Sequence, residues 1–404
     1  MSALETKREG GAADAIDGVI PRHVVQAGSP EELAQVVADA ARARQSTILR
    51  GGGTKLGWGR VPAGIELVVE TSRLNQLVAH RHGDMTATVQ AGMPLVTLNE
   101  RLAEHGQCLP VESAFDATTV GGMLATNDAG PLRHRFGTPR DLLIGITLAM
   151  TDGRIVKSGG TVVKNVAGYD LGKLVTGSFG SLAAIVDATF KLLPVPRASA
   201  TLVATYTDAD VLARDVATLN ASQIEATAFD VRVSDGSGSQ LLLRMASSPA
   251  ATEAQTMEAT RLLSNRPIVL SGEAERALWH EQIRLPWNDA ATTVRLSWLP
   301  AHLPAVLAMV RRLREESAGP VTFTGRVSGA GALRLEGDER ECATAIAMLR
   351  ASDEVGHVVV LRASRVLKEQ VDVWGPALSS AQMARALKRT FDPAGILNAG
   401  RGPI

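Results

Sequence analysis

Residues 159–180 contain Gly159-Gly160-Thr161-Val162-Val163-Lys164-Asn165-Val166-Ala167-Gly168-Tyr169-Asp170-Leu171, followed by Leu174-Val175-Thr176-Gly177-Ser178-Phe179-Gly180. Upstream lies Ala117-Thr118-Thr119-Val120-Gly121-Gly122, running on to Asn127 and Gly130. A third glycine-rich run, Arg50-Gly51-Gly52-Gly53-Thr54-Lys55-Leu56-Gly57-Trp58-Gly59, follows the strand-like Thr47-Ile48-Leu49. Any one of these reads as a tight turn, the commonest use of glycine. Three of them, two beside short helices, point to backbone held close to a large ligand, because glycine lacks a Cβ and tolerates φ > 0. A helix N-terminus beside such a turn offers N–H groups to an anion.

The run Arg50 to Gly59, the first along the chain, is not a dinucleotide fingerprint. Gly51 and Gly53 fit, but Leu56 stands at the third glycine position, and Pro62 and Gly64 follow where a long helix is needed. No Gly-Lys-Ser/Thr is present, which excludes a Walker A loop. What remains is a strand-to-loop turn with free N–H groups, and Thr54 and Lys55 as further donors, a nest suited to a pyrophosphate.

Working outward, 404 residues make two or three domains. The chain is 45% hydrophobic but only 3% aromatic, so its core is aliphatic. Forty-two basic residues balance 42 acidic ones, giving no overall attraction to nucleic acid or anionic lipid. The basic group Arg133, His134, Arg135 and Arg140 reads equally as a phosphate contact or a solvated loop. Two cysteines, Cys108 and Cys342, offer no disulfide framework and no metal spacing, which suits a reducing cytoplasm. His280-Glu281 lacks the second histidine of a zinc motif, and no metal is expected. No apolar run reaches membrane-span length. Residues 1–18 lack the apolar stretch of a signal peptide and read as a flexible tail.

The chain then starts β-α-β. Val24 to Gln26 is a strand, and Ser29, Pro30 and Glu32 open a helix with Leu33, Val36, Val37, Ala40 and Ala41 on one face. Pro94 opens another helix with Leu95, Leu98 and Leu102 on one face, and Leu109-Pro110 leads to the second glycine turn, where Thr119 can cap. Asp152-Gly153 marks a hairpin, and Asp170 caps a short helix. From about residue 198 the glycine loops thin out. Strand–helix–strand–strand patterns starting at Thr201 and at Thr293 look like a duplicated ferredoxin-like half, with a turn at Asp235-Gly236-Ser237-Gly238 in the first.

The three glycine loops resemble those of the PCMH-type FAD-binding domain of vanillyl-alcohol-oxidase-like flavoproteins. Ala91 to Thr97, Gly121-Gly122-Met123, Ala129-Gly130-Pro131, Arg140-Asp141, Lys164 to Leu171 and Lys191 to Pro194 resemble, more narrowly, the E subunits of bacterial glycolate oxidases. The resemblance covers most of residues 20–197 and Asp392 to Arg401, and Lys164 to Leu171 is its most specific part.

That resemblance implies an α+β fold. A PCMH-type FAD-binding domain of two α+β subdomains spans 19–197, a ferredoxin-like α+β cap spans 198–372, and a segment at 373–404 returns to the FAD-binding domain. It implies FAD contacts from Gly51, Gly52, Gly53, Thr54, Lys55, Gly57, Pro110, Thr118, Thr119, Gly121, Gly122, Asn127, Gly130, Gly177, Ile185 and Asn398. Thr54 stands where some relatives carry a histidine bonded to FAD, so the FAD is expected to be non-covalent.

The histidine-rich cap motif of catalytic subunits is missing. Oxidising a 2-hydroxy acid needs a base for the hydroxyl proton, a cation for the carboxylate and a flavin for the hydride. His357 with Arg295 is the candidate pair, against the plain reading of a structural histidine on a strand. Three functions follow: an FAD-binding subunit of a glycolate oxidase working with a catalytic flavin subunit and an iron–sulfur subunit; a self-sufficient FAD-linked D-2-hydroxy-acid (D-lactate type) dehydrogenase; or a non-catalytic flavin-carrying partner subunit. The expected location is cytoplasmic, any membrane association coming through partner subunits.

Overall fold

The structure is a computed structural model describing residues 7–160, 168–234, 238–288, 290–317, 319–377 and 379–402. Residues 161–167, which include Lys164 to Ala167 of the most specific motif, and 235–237 of the expected turn lie outside the described residues. The chain forms two compact units: residues 1–129, 137–195 and 376–404 in the first, 130–136 and 196–375 in the second.

Among the described residues the first unit holds a four-stranded sheet, a five-stranded sheet and a short antiparallel pair, Gln107–Cys108 with Leu193–Pro194. In the four-stranded one, Leu67–Glu70 runs parallel to both His23–Gln26 and Thr47–Arg50. Its central place explains why Val68 and Val69 are both buried: an inner parallel strand is covered on each face. The helix Pro30–Arg42 begins as its sequence requires, with Ser29 accepting from Glu32 N at 3.1 Å. The Glu32 carboxylate reaches one residue further back than a capping box does, to Gly28 N at 2.8 Å. Leu33, Val37 and Ala40 of this helix pack with Ala149, Ala184 and Val186, which belong to the second sheet's side of the unit.

That second sheet is antiparallel, in the order Leu77–Arg81, Thr86–Gln90, Ala184–Lys191, Leu143–Ala149, Ile155–Gly159. The helices Leu95–Ala103 and Val120–Thr126 bury Leu98, Leu102, Met123 and Leu124 together with Phe190 of the sheet. The helix Ala381–Phe391 leads into a C-terminal segment in which Leu397 bridges to Thr47 in parallel.

The expected loose tail does not extend to residue 18. Arg8–Glu9 adds an antiparallel strand to His23–Gln26. Asp14, buried, accepts from Arg8 at 2.6 and 2.8 Å and from Arg50 at 2.7 Å. The physical reason is charge pairing: a buried carboxylate fixed by two guanidinium groups carries the surrounding backbone with it.

The second unit is one eight-stranded antiparallel sheet built from two complete βαββαβ modules, where the sequence suggested halves. Ala198–Tyr206, Ala228–Val233, Ser239–Ser247 and Ile268–Leu270 form the first, and Thr292–Trp298, Val321–Arg326, Ala330–Leu335 and Val355–Arg362 the second. Each carries the ferredoxin-like strand order, and the modules join edge to edge where Val231 faces Gly325. Helices Ala209–Ala221, Leu303–Glu316 and Glu339–Arg350 bury Leu212, Val310 and Ile346 on one face of the sheet. The helix Gly272–Arg284 covers part of the other through Trp279, against Val203, Ala228 and Leu242.

Candidate functional site: a glycine-walled cleft

The strand Thr47–Arg50 delivers the first glycine run to the rim of a cleft lined by Gly51, Gly52, Gly53, Thr54 and Lys55 on one side. The glycines are required for different reasons. A Cβ on Gly51 would come 2.2 Å from Thr119 Oγ1, and one on Gly52 would come 1.7 Å from the Ala117 carbonyl oxygen. The first and second glycine loops therefore touch, and no side chain fits between them. Gly53 has φ +72°, a left-handed conformation that only glycine adopts at little cost. Among the described residues, no acceptor takes the backbone N–H groups of residues 52–54. Unengaged donors on such a turn suit an anion.

The helix Val120–Thr126 forms the opposite wall with Thr119, Gly122, Ala125 and Thr126. Gly122, Ala125 and Thr126 fall on one helical face and carry little bulk, which keeps this wall low. The helix N-terminus itself is not the donor site the sequence suggested, because its first N–H groups are already used. Val120 N donates to Met93 O at 2.9 Å, Gly121 N to Ala91 O at 2.7 Å, and Gly122 N to the capping Thr119 Oγ1 at 3.3 Å. A Cβ on Gly122 would meet nothing closer than that hydroxyl, at 3.3 Å. That hydroxyl would have to give by a few tenths of an ångström, but no other atom lies within 4 Å, so the helix face at Gly122 is open toward the cleft. That space, with the N–H groups opposite, fits a diphosphate-bearing cofactor.

Charge is held at the floor. Buried Lys55 donates to Thr118 Oγ1 at 3.1 Å and pairs with Asp128 Oδ2 at 3.3 Å. Thr118 is thus the residue that seats Lys55 and not itself part of the lining. Arg401, 3% exposed, also lines the cleft and donates to the carbonyl oxygens of Leu56, Trp58 and Arg60. Burial lowers its pKa from the ordinary arginine value, with Asp17 opposing that shift.

The end of the cleft is made by Phe179 and Asn398. Phe179 N donates to Ala125 O at 2.8 Å, and Phe179 O accepts from Asn398 Nδ2 at 2.9 Å. Both residues are left-handed, with φ of 56° and 50°. Non-glycine residues held there cost conformational energy, and such strain concentrates at functional sites.

Of the residues expected at the cofactor, Gly51, Gly52, Gly53, Thr54, Lys55, Thr119, Gly122 and Asn398 line the cleft. Others do not. Gly121 lies against Ala91, where a Cβ would come within 2.8 Å, and Gly177 makes a turn at φ +82° whose N–H donates to Leu124 O. Ile185 is buried in the core, and Asn127 ends the helix at φ +47°. Gly130 belongs to the second unit, where its carbonyl accepts from Arg326 Nε at 3.2 Å. Gly57 and Pro110 are also absent from the lining. Sequence reasoning missed Ile48, Leu49, Leu56, Trp58, Ala125, Thr126, Phe179 and Arg401.

Arg295 and His357 lie in the second unit on adjacent strands. His357 faces Ser297 and Arg295 faces Val359, so the two project from the same face of the sheet. They are diagonal neighbours, a relation that spans about 7–8 Å in antiparallel pairs.

Residues 21–159, all but 130–136 of them in the first unit, match the FAD binding domain family, and FAD is the cofactor. Glycolate oxidase subunit GlcE of Escherichia coli is 36% identical over 174 residues, 43% of this chain and 48% of that protein. Glycolate oxidase subunit GlcD of Bacillus subtilis is 31% identical over 206 residues, 51% of this chain and 44% of that protein. D-lactate dehydrogenase of Archaeoglobus fulgidus is 34% identical over 174 residues, 43% of this chain and 39% of that protein. The chain thus spans less than half the length of each of these relatives. A solved structure of alkyldihydroxyacetonephosphate synthase superposes with a TM-score of 0.69 over 95% of this chain and 77% of that one, at 17% identity, a likeness of fold. Among the described residues no helix is long and apolar enough to cross a membrane.

Proposed function

We propose that this chain is the FAD-carrying subunit of a glycolate oxidase, taking part in oxidation of a small 2-hydroxy acid to its 2-oxo acid. The observation that carries the reading is the cleft: unengaged N–H groups at residues 52–54 facing a wall lowered at Gly122. FAD, when bound, supplies the acceptor for a hydride. The chain's own part is to hold it. The loop at 52–54 and Lys55 meet the diphosphate, and Asn398 steadies Phe179 at the far end. Since Thr54 offers no imidazole for a covalent bond, the FAD is held non-covalently.

Several observations support a subunit role. The chain has two cysteines, one buried and one half-buried, and cannot supply the four thiolates of an iron–sulfur cluster. Electrons leaving the flavin then need another protein or a soluble acceptor; in this reading an iron–sulfur partner takes them, and a catalytic flavin subunit completes the acid–base chemistry. Likeness to both GlcE and GlcD accords with this assembly.

A self-sufficient D-2-hydroxy-acid dehydrogenase is favoured by one observation, the shared sheet face of Arg295 and His357, which suits a carboxylate anchor beside a base. Anaerobic mixing of the FAD-loaded chain with excess glycolate or D-lactate separates the readings. The subunit reading expects little bleaching of the flavin by the chain alone, and turnover once the catalytic and iron–sulfur subunits are co-expressed. Rapid bleaching by the chain alone, lost in Arg295→Ala or His357→Ala with FAD retained, would replace it with the dehydrogenase reading. No turnover by the complete assembly that depends on this chain's FAD leaves the chain a non-catalytic flavin carrier.

A further inference from the structure

Three histidines meet on the surface of the first unit, outside the cleft. His80 is next to last in the strand Leu77–Arg81, His82 opens the one-turn helix His82–Asp84, and His105 follows the helix Leu95–Ala103. One ligand nitrogen from each lies within 4.8 Å of the others. The rings of His82 and His105 stack with centroids 3.8 Å apart, and His80 meets them edge-on at 4.5 and 5.2 Å.

We propose that His80, His82 and His105 form a binding site for one borderline divalent transition-metal cation, with zinc as its simplest occupant. Imidazole nitrogen suits that class of metal, and three protein ligands leave a fourth position for water. Ligands around one zinc sit about 3.3 Å apart, given bonds of about 2.0–2.1 Å. Small side-chain rotations close the observed spacing, and His82 and His105 are exposed and free to make them.

The second observation is the setting of His80. Buried Gln107 places its Oε1 2.8 Å from His80 Nε2, while its amide nitrogen donates to His82 O at 2.8 Å and to Met85 Sδ at 3.1 Å. With its amide nitrogen engaged twice as a donor, Gln107 presents an oxygen to His80. That oxygen accepts the Nε2 proton and leaves the Nδ1 lone pair for the metal. Fixing a ligand's tautomer through its other nitrogen is the usual outer-shell arrangement at metal-binding histidines. The spacing of His80 and His82 in sequence does not reveal the site, because the fold brings in His105. Bound metal would cross-link the hairpin turn to the loop after the helix.

The test uses the full chain, stripped with chelator and titrated with zinc chloride against a chromophoric competitor. One equivalent should bind, and zinc should raise the melting temperature. His105→Ala and His82→Ala should each lose that equivalent and the thermal shift while keeping full FAD content. Gln107→Leu should weaken zinc binding by about 10–100-fold with the three ligands intact. Cobalt(II) should give the intense visible bands of a four-coordinate site in the wild type alone. Wild-type zinc affinity no tighter than that of the His105→Ala chain would mean that the three rings are only neighbours, and would overturn the proposal.

Discussion

Lys388 Nζ lies 2.6 Å from Asp392 Oδ2 and donates as well to the carbonyl oxygens of Ser181 and Leu397, each at 2.8 Å. Asp392, 1% exposed, also binds the backbone of the same segment, accepting from Ile396 N at 3.1 Å and Leu397 N at 2.7 Å. One ion pair thus fixes the C-terminal segment both to itself and to the turn after Phe179. Asn398 follows directly, with its own N–H on Thr47 O at 2.8 Å.

Lys388→Met should therefore be costly. It leaves a buried carboxylate without its partner, a loss of about 3 kcal/mol or more in comparable cases. Urea unfolding should show the fall, and FAD affinity should drop with it because Asn398 and Arg401 lose their seat. The double variant Lys388→Met/Asp392→Asn should recover part of the stability. If the single variant unfolds at the wild-type midpoint, the pair does not hold the segment.

A second prediction concerns acid. The Arg8 guanidinium, then the Gly11 N–H and Arg50, hold the Asp14 carboxyl well below the ordinary carboxylate range. A group whose folded pKa is depressed stabilises the fold above its unfolded value, about 3.9, and loses that contribution as pH falls through the folded pKa. Asp14→Asn should thus be less stable than wild type by a constant margin from neutral pH down to about pH 4. Below that the gap should close. A gap unchanged at pH 2 would show that Asp14 acts through shape rather than charge.

Much of this arrangement was legible in the sequence because it is local. Ser29, Thr119 and Asp170 cap the helices they precede, and the repeated strand–helix–strand–strand pattern foretold the ferredoxin-like modules. The glycine loops were also visible, but the demands on them were not. Gly51 and Gly52 are set by Thr119 and Ala117, residues far along the chain, and only contact distances show it. Phe179 and Arg401 escaped for the same reason. A phenylalanine reads as core and an arginine as surface until the fold gives one a left-handed backbone and the other three carbonyl partners. The ordered residues 8–14 depend on Arg50, which no local pattern links to Asp14.

The mode of flavin attachment gives a third prediction. Thr54 lines the cleft where a covalent link would need an imidazole, and its hydroxyl cannot take that role. Precipitating the yellow protein with acid should release all of the colour into the supernatant. Flavin remaining with the washed pellet would show a bond from another residue.

The fourth prediction separates a ligand's demand from the protein's own. Gly122 sits on the cleft face of its helix, and a Cβ there would have only the Thr119 hydroxyl near it, at 3.3 Å. It has no positive φ to be strained, and alanine or valine has a better helix propensity than glycine. Since only that hydroxyl must give by a few tenths of an ångström, Gly122→Val should stay folded when free of FAD, with at most a small fall in melting temperature. Its two γ-methyl groups would nonetheless fill the space opposite the N–H groups of residues 52–54, so FAD binding should be abolished. Gly122→Ala, with one small methyl, should bind FAD more weakly than wild type but measurably. Flavin fluorescence titration against the apoprotein gives the affinities, and a parallel thermal melt guards against misfolding. Wild-type FAD stoichiometry in Gly122→Val would place the diphosphate elsewhere and remove the second loop from the site.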